Sequence, residues 1–243
     1  MAKHAKSTAR KKAPERAPNR PLRRRLAFWA LRGVLAVVGF FAFLVLLFSF
    51  FNPPANIYQV QESVRLGSIE REWADWEEIA PVMARSVVAA EDANFCLHWG
   101  FDMRAIRQAV AEGGNRGAST LSQQVTKNVF LWQGRSWLRK AMEAALTPAV
   151  ELIWSKRRIL EVYLNVAEFD EGVFGVQAAA RHYFGVEARD LSALQAARLA
   201  AILPDPKGRS ASAPSDFVRS RTRSIISGAE TIAVDGRADC FED

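Results

Sequence analysis

The sequence has few of the residues that build covalent or metal frameworks. Two cysteines in 243 residues exclude a disulfide scaffold, and neither lies in a metal-ligand spacing. The two thiols, Cys96 and Cys240, read as free or incidental, although an extracytoplasmic compartment permits one bridge. Sustained alternation of apolar and polar residues is missing, so no extended sheet is expected, and there are no internal repeats. Positive charge is also scarce outside the N-terminus. Residues 1–25 hold ten Lys/Arg against the single acid Glu15, a charge of +9, whereas the whole chain carries +7. The remainder therefore sums to about −2. Tracking a phosphate backbone needs clustered cations on the folded body, so nucleic acid is not an expected partner.

What is present begins with a long apolar run. Nineteen residues from Gly33 to Phe51 carry no charge, and at 1.5 Å per residue they reach about 28 Å, close to the thickness of a hydrocarbon core. A cleaved signal peptide fits less well, because the run exceeds a signal's usual apolar core and "NPPANI" offers no small-x-small cleavage site. The expected organisation is a basic cytoplasmic tail over 1–25, a transmembrane helix over 26–51 with Trp29 near a headgroup layer, and an extracytoplasmic domain over 52–243.

From residue 70 onward the periodicity is helical. Pro81 opens one helix, Asp102 occupies an N-cap position before a Met103/Ile106/Val110 face, and Thr120 and Gln123 have capping-box spacing. Pro148 should kink or interrupt a long helix that begins near Trp137. "SKRRILEVYLN" and "SALQAARLAAIL" read as buried helices. The expected fold class is all-α.

Three runs carry candidate chemistry. In "AEDANFCLHWGFDM" (residues 90–103), Glu91, Asp92, His98 and Asp102 are interleaved with aromatics. A carboxylate pressed against apolar neighbours has a raised pKa, as a general base needs. On spacing alone Glu91 reads equally as a base or as a structural carboxylate, Asp102 reads as a helix cap and His98 as structural. In "GASTLSQQVTKN" (residues 117–128), Ser119 and Thr120 bring hydroxyls to a helix start, a natural anion site, and Gln124, Lys127 and Asn128 share one face. An ordinary capped amphipathic helix is the rival reading. In "RKAME", Arg139, Lys140 and Glu143 can face one place, as a surface ion pair or as cations balancing a diphosphate.

Together with "KRRILEVYLN" and "GVFGVQAAARHYFG", these runs occur in the order found in the peptidoglycan glycosyltransferases of family 51, and the sequence over about residues 70–207 resembles that family. The chain has no room for a transpeptidase domain, so the resemblance is to the monofunctional branch. It implies a lysozyme-like helical fold, lipid II and a growing glycan strand as substrates, and processive inverting polymerisation at the cell inner membrane, with the catalytic domain periplasmic. Glu91 matches the general base and Glu143 the second essential carboxylate, with a divalent cation (Mg²⁺ or Mn²⁺) as a candidate cofactor on the leaving side. Lys127, Arg139 and Lys140 match positions contacting the diphosphate or donor strand. Asp92, Ser119, Thr120, Gln123, Gln124 and Asn128 match cleft positions, and Arg158 a motif that mainly scaffolds the cleft. Other cell-wall synthases or division proteins are candidate partners. Ser122, Asp170 and Gln195 depart from the commoner residues without touching the carboxylate pair. The rivals are a lysozyme-like lytic glycosidase, against which the cationic "RKAME" and Lys127 speak, and a non-catalytic partner of a cell-wall synthesis complex, against which both glutamates speak. Ile57, Val60, Val64 and Leu66 are expected either at the membrane interface or in the core.

Overall fold

The computed structural model describes residues 22–113, 117, 119–134 and 136–242. Most of the basic tail, residues 1–21, lies outside them. The chain divides into two compact units, one ending at Phe40 and one running from Phe41 onward. Helix α1 (Leu22–Phe50) makes up the described part of the first unit. Its mean hydropathy reaches 2.7, and Leu26, Trp29, Val34, Leu35 and Val38 are all exposed. A helix apolar on all sides needs a core or a bilayer around it, and these side chains have no core, so α1 is long and apolar enough to cross a membrane and suggests an anchor.

The second unit is helical around one core. Helix α2 (Ile57–Leu66) starts at a capping box in which Asn56 and Gln59 bond each other's backbone. Its polarity is inverted: Gln59 and Glu62 are buried, whereas Ile57, Val60, Val64 and Leu66 are exposed. Glu62 is held inside by Arg65 and by Lys207, whose ammonium lies 3.0 Å away. The four apolar residues therefore are not core, and they face outward within a few residues of the end of α1.

Helix α3 (Pro81–Glu91) buries Met83, Ala84, Val87 and Val88 against α9 (Ala193–Ile202) and α10 (Asp216–Val234). The alanines of α9 (Ala196, Ala197, Ala200, Ala201) are fully buried and let the backbones approach closely. Helix α4 (Met103–Ala111) follows, capped by Asp102 as its position suggested, through bonds of 2.9 Å from the amides of Arg104 and Ala105. Helices α5 (Leu121–Phe130), α6 (Trp137–Ile153) and α7 (Lys156–Val166) form the second layer, with α5 packed on both of the others. Ile159, Leu160, Val162 and Leu164 make α7 the centre of the core. A small sheet of order β1–β3–β2 closes one side: β1 (Glu70–Arg71) runs parallel to β3 (Val173–Phe174), and β2 (Glu168–Asp170) antiparallel to it. Helices α8 (Val176–Phe184) and α11 (Asp239–Glu242) complete the unit.

Two expectations are corrected. Of the kink or interruption expected at Pro148, the interruption does not occur: helix α6 runs through it. Proline removes one ladder bond, but Glu143, Thr147 and Val150 form a buried stripe that holds both halves of the helix in place. The two cysteines are not free. Cys96 and Cys240 form a disulfide with Cα atoms 5.7 Å apart, closing a loop of 144 residues. A cross-link of this kind stabilises a fold by about 2–4 kcal/mol.

The position of α7 gives a measurable expectation. Leu164→Ala should lower stability by about 2–5 kcal/mol, and thermal unfolding of the detergent-solubilised chain should show a fall in Tm of several degrees.

Candidate active site

The site is assembled where the C-terminal end of α3 meets α5. Glu91 is the last residue of α3, and its Oε2 accepts a hydrogen bond of 3.1 Å from Gln124 Nε2 on the first turns of α5. Arg221 of α10 approaches from the other side, its Nη2 3.7 Å from Glu91 Oε1 and 3.1 Å from the Ala90 carbonyl oxygen, to which it donates. Burial pushes the Glu91 carboxyl above its ordinary pKa, and the Gln124 bond and the Arg221 charge only partly oppose this.

Each member of this pair lines a cleft of its own, Glu91 one and Gln124 another. One, of about 270 Å³, is lined by Glu91, Asn94, Arg104, Gln108 and Ser119 among others. The second, of about 280 Å³, is lined by Gln124, Lys127, Asn128, Tyr58, Tyr163 and Glu168 among others. Lys127 is largely withdrawn from water, which pushes its ammonium below the ordinary pKa against the attraction of Glu143. Among the described residues the Lys127 ammonium has no hydrogen bond or ion pair of its own. Asn128 Oδ1 accepts from Gln133 at 3.2 Å in the same cleft.

Glu143 is buried on α6 between two cations, Arg139 Nη1 at 2.8 Å and Lys140 Nζ. Lys140 also lies 3.4 Å from Ser119 Oγ and so ties this trio to the first cleft. One carboxylate between two cations leaves the group of three with net positive charge, suited to an anionic ligand.

Four of the matched residues brace the scaffold, and two of them, Asp92 and Thr120, line the first cleft as well. Asp92 places Oδ1 2.8 Å from His98 Nε2 and accepts the Leu121 amide on Oδ2 at 3.0 Å, which braces the start of α5. Thr120 caps α5 and donates to the Gly100 carbonyl at 2.7 Å, and Gln123 returns the cap to the Thr120 amide. Gly100 has φ +85 and lies against Thr147, where a Cβ would come within 2.7 Å of a side-chain methyl, so no larger residue fits there. Arg158 bonds the carbonyls of Phe48 and Phe51 and the Asn52 side chain, fixing the end of α1 rather than the cleft. Sequence reasoning missed Arg221, Tyr58 and Tyr163. An arginine on an amphipathic helix some 130 positions from Glu91 carries no local signal of that contact.

The donors do not fit a divalent cation held by the protein alone. Both Glu143 oxygens already face cations, the Glu91 oxygens face Gln124 and Arg221, and no group of three His, Cys, Asp or Glu among the described residues is placed to hold a metal.

A largely buried carboxylate lining a cleft, with a second carboxylate set among cations nearby, suits an enzyme that transfers glycosyl groups. The chain belongs to the transglycosylase family, whose pattern matches residues 59–230, and its domain has the lysozyme-like helical fold of that family. Similar proteins carry the name biosynthetic peptidoglycan transglycosylase. One from Jannaschia sp. (strain CCS1) is 56% identical over 241 residues, covering 99% of each chain. Another, from Cronobacter sakazakii (strain ATCC BAA-894), is 50% identical over 213 residues, covering 83% of this chain and 88% of the relative. A third, from Yersinia pseudotuberculosis serotype O:3 (strain YPIII), is 46% identical over 215 residues with the same coverage.

The raised Glu91 pKa has a consequence for stability. A carboxyl whose folded pKa exceeds its unfolded value favours folding only while protonated, and this contribution is lost as pH rises through the folded value. At neutral pH the ionised side chain therefore costs stability. Glu91→Gln should raise Tm at pH 7, and the gain should vanish as pH falls below the ordinary glutamate range; thermal unfolding at both pH values checks this.

Proposed function

We propose that this transglycosylase polymerises lipid II into glycan strands, with Glu91 as general base. The chain is a peptidoglycan glycosyltransferase of cell-wall synthesis. On this reading the 4-hydroxyl of an incoming GlcNAc meets Glu91 in the cleft it lines. The carboxylate takes its proton as the oxygen attacks C1 of the MurNAc at the end of the growing strand. Polyprenyl diphosphate leaves and the configuration at C1 inverts. The observation that carries the assignment is the largely buried Glu91, raised in pKa, lining one cleft and hydrogen-bonded to Gln124, which lines the other.

The cations fit the leaving group. Lys127 offers a free ammonium in one cleft, and Arg139 and Lys140 surround Glu143 beside Ser119. An inverting transfer to a sugar hydroxyl needs charge compensation at the departing diphosphate, which a glycan hydrolase does not. The substrate is lipid-linked, so an anchored enzyme with an outward apolar face on α2 is suited to meet it in the bilayer.

We place the chain in the cell inner membrane as a single-pass protein with its N-terminus in the cytoplasm and the domain in the periplasm. The ten cations of the first 25 residues support that orientation. The disulfide supports it independently, because structural disulfides persist in oxidising compartments. Other cell-wall synthases or division proteins are the partners such a location offers.

Labelled lipid II incubated with the purified full chain should yield long glycan strands. Glu91→Gln should cut the rate by about 10²–10⁴-fold while the protein stays folded. Near-normal polymerisation by that variant removes Glu91 from the base role, and shortened glycan fragments without polymer would select the hydrolase.

A further inference from the structure

The C-terminal segment beyond the family match holds the loop that follows Glu91. Helix α10 ends at Val234, and the chain turns at Gly236 to bring Arg237 Nη1 within 3.1 Å of the Ala93 carbonyl oxygen, two residues after the proposed base. Three residues further on, Cys240 is bonded to Cys96 in the same loop. Phe241 is buried between Phe95 and Trp76, with ring centroids 6.4 Å from each. The far end is fastened twice more, by Arg157 Nε donating to the Phe241 carbonyl at 3.2 Å and by Arg85 at 3.6 Å from Glu242.

These contacts fall on one loop with a defined task. Residues 92–98 carry Asp92 and His98, whose contact and whose bond to the Leu121 amide set the start of α5 against the end of α3. Gln124, which orients Glu91, lies on the first turn and a half of α5. The position of the loop therefore fixes the distance between the carboxylate and its orienting amide.

We propose that residues 237–242, cross-linked through Cys240 to Cys96, are a positioning clasp for the 92–98 loop, so that glycosyl transfer runs at full rate only with the disulfide closed. The proposal rests on Glu91 as the base. Reduction by a dithiol breaks the S–S bond, delivers two electrons and two protons to give the Cys96 and Cys240 thiols, and closes the dithiol to its own disulfide. From the C-terminal segment the loop then keeps the Arg237 and aromatic contacts without the covalent link. Displacements of about 1 Å at a reacting centre cost up to about a hundredfold in rate, and partial retention of these contacts places the expected loss near tenfold.

The test uses the full chain in lipid nanodiscs with labelled lipid II, below the Tm of every form, with folding followed by circular dichroism. Dithiothreitol should lower kcat about tenfold and leave KM within about twofold. Cys96→Ser combined with Cys240→Ser should reproduce that kcat and be indifferent to dithiothreitol. A purely structural cross-link would lower Tm and leave kcat unchanged at the assay temperature, and that result overturns the proposal, as does a change confined to KM. If the double variant does not fold, Arg237→Gln in the oxidised chain carries the test: a lowered kcat at unchanged KM supports the clasp, and an unchanged kcat overturns it. If Glu91→Gln instead retains activity, the base assignment fails by itself, while the dependence of kcat on the cross-link is still read in the wild-type chain.

Discussion

A carboxylate withdrawn from water at the end of a helix is the constraint around which this domain is arranged. Ionising Glu91 inside protein is unfavourable, and the fold answers with one neutral donor, Gln124, and one cation at a longer distance, Arg221. A close bidentate arginine would have satisfied the charge and quenched its basicity. The arrangement keeps the carboxylate proton-hungry, and α3, α5 and α10 must all be in register to maintain it. Close packing of α3 against α9 and α10, through alanines and valines, supplies that register.

The second carboxylate is treated in the opposite way. Glu143 is locked between Arg139 and Lys140, so it orders two cations beside the first cleft. Two glutamates thus acquire different chemistry from their surroundings alone, one apolar and one cationic. Together with Lys127, whose ammonium has no hydrogen bond or ion pair among the described residues, they make a site with a basic carboxylate and positive charge, the pattern the proposed lipid diphosphate donor would need.

Local signals in the sequence carried far because many of the elements begin with a chemical mark. The Asp102 cap, the Thr120–Gln123 capping box and Pro81 at the start of α3 each appear where their residue types place them. Pro148 misled because its cost is local, whereas the stripe of Glu143, Thr147 and Val150 that overrides it depends on the tertiary neighbours of α6. The disulfide and the Arg221 contact were illegible for a related reason. Both depend on the route of α10 back across the end of α3, and no spacing within the sequence encodes that return. Conversely, the cleft motif pointed to Asp92, Thr120 and Gln123 together with Glu91 and Gln124, and the structure shows Asp92 and Thr120 lining the cleft and bracing it at once, whereas Gln123 holds the start of α5. On α2 the inverted burial of Gln59 and Glu62 resolves what hydrophobicity left open, turning its apolar residues outward.

The account stands on the protonation behaviour of one side chain, which can be read directly. Carboxylate NMR of the selectively labelled chain, assigned by comparison with Glu91→Gln, would follow the titration of Glu91 alongside the pH dependence of kcat/KM. Glu91 as the base requires a Glu91 pKa above the ordinary glutamate value, coinciding with the acidic limb of the rate profile. A Glu91 that titrates at or below the ordinary value, or a limb that does not follow it, would contradict the claim that burial makes this carboxylate the base.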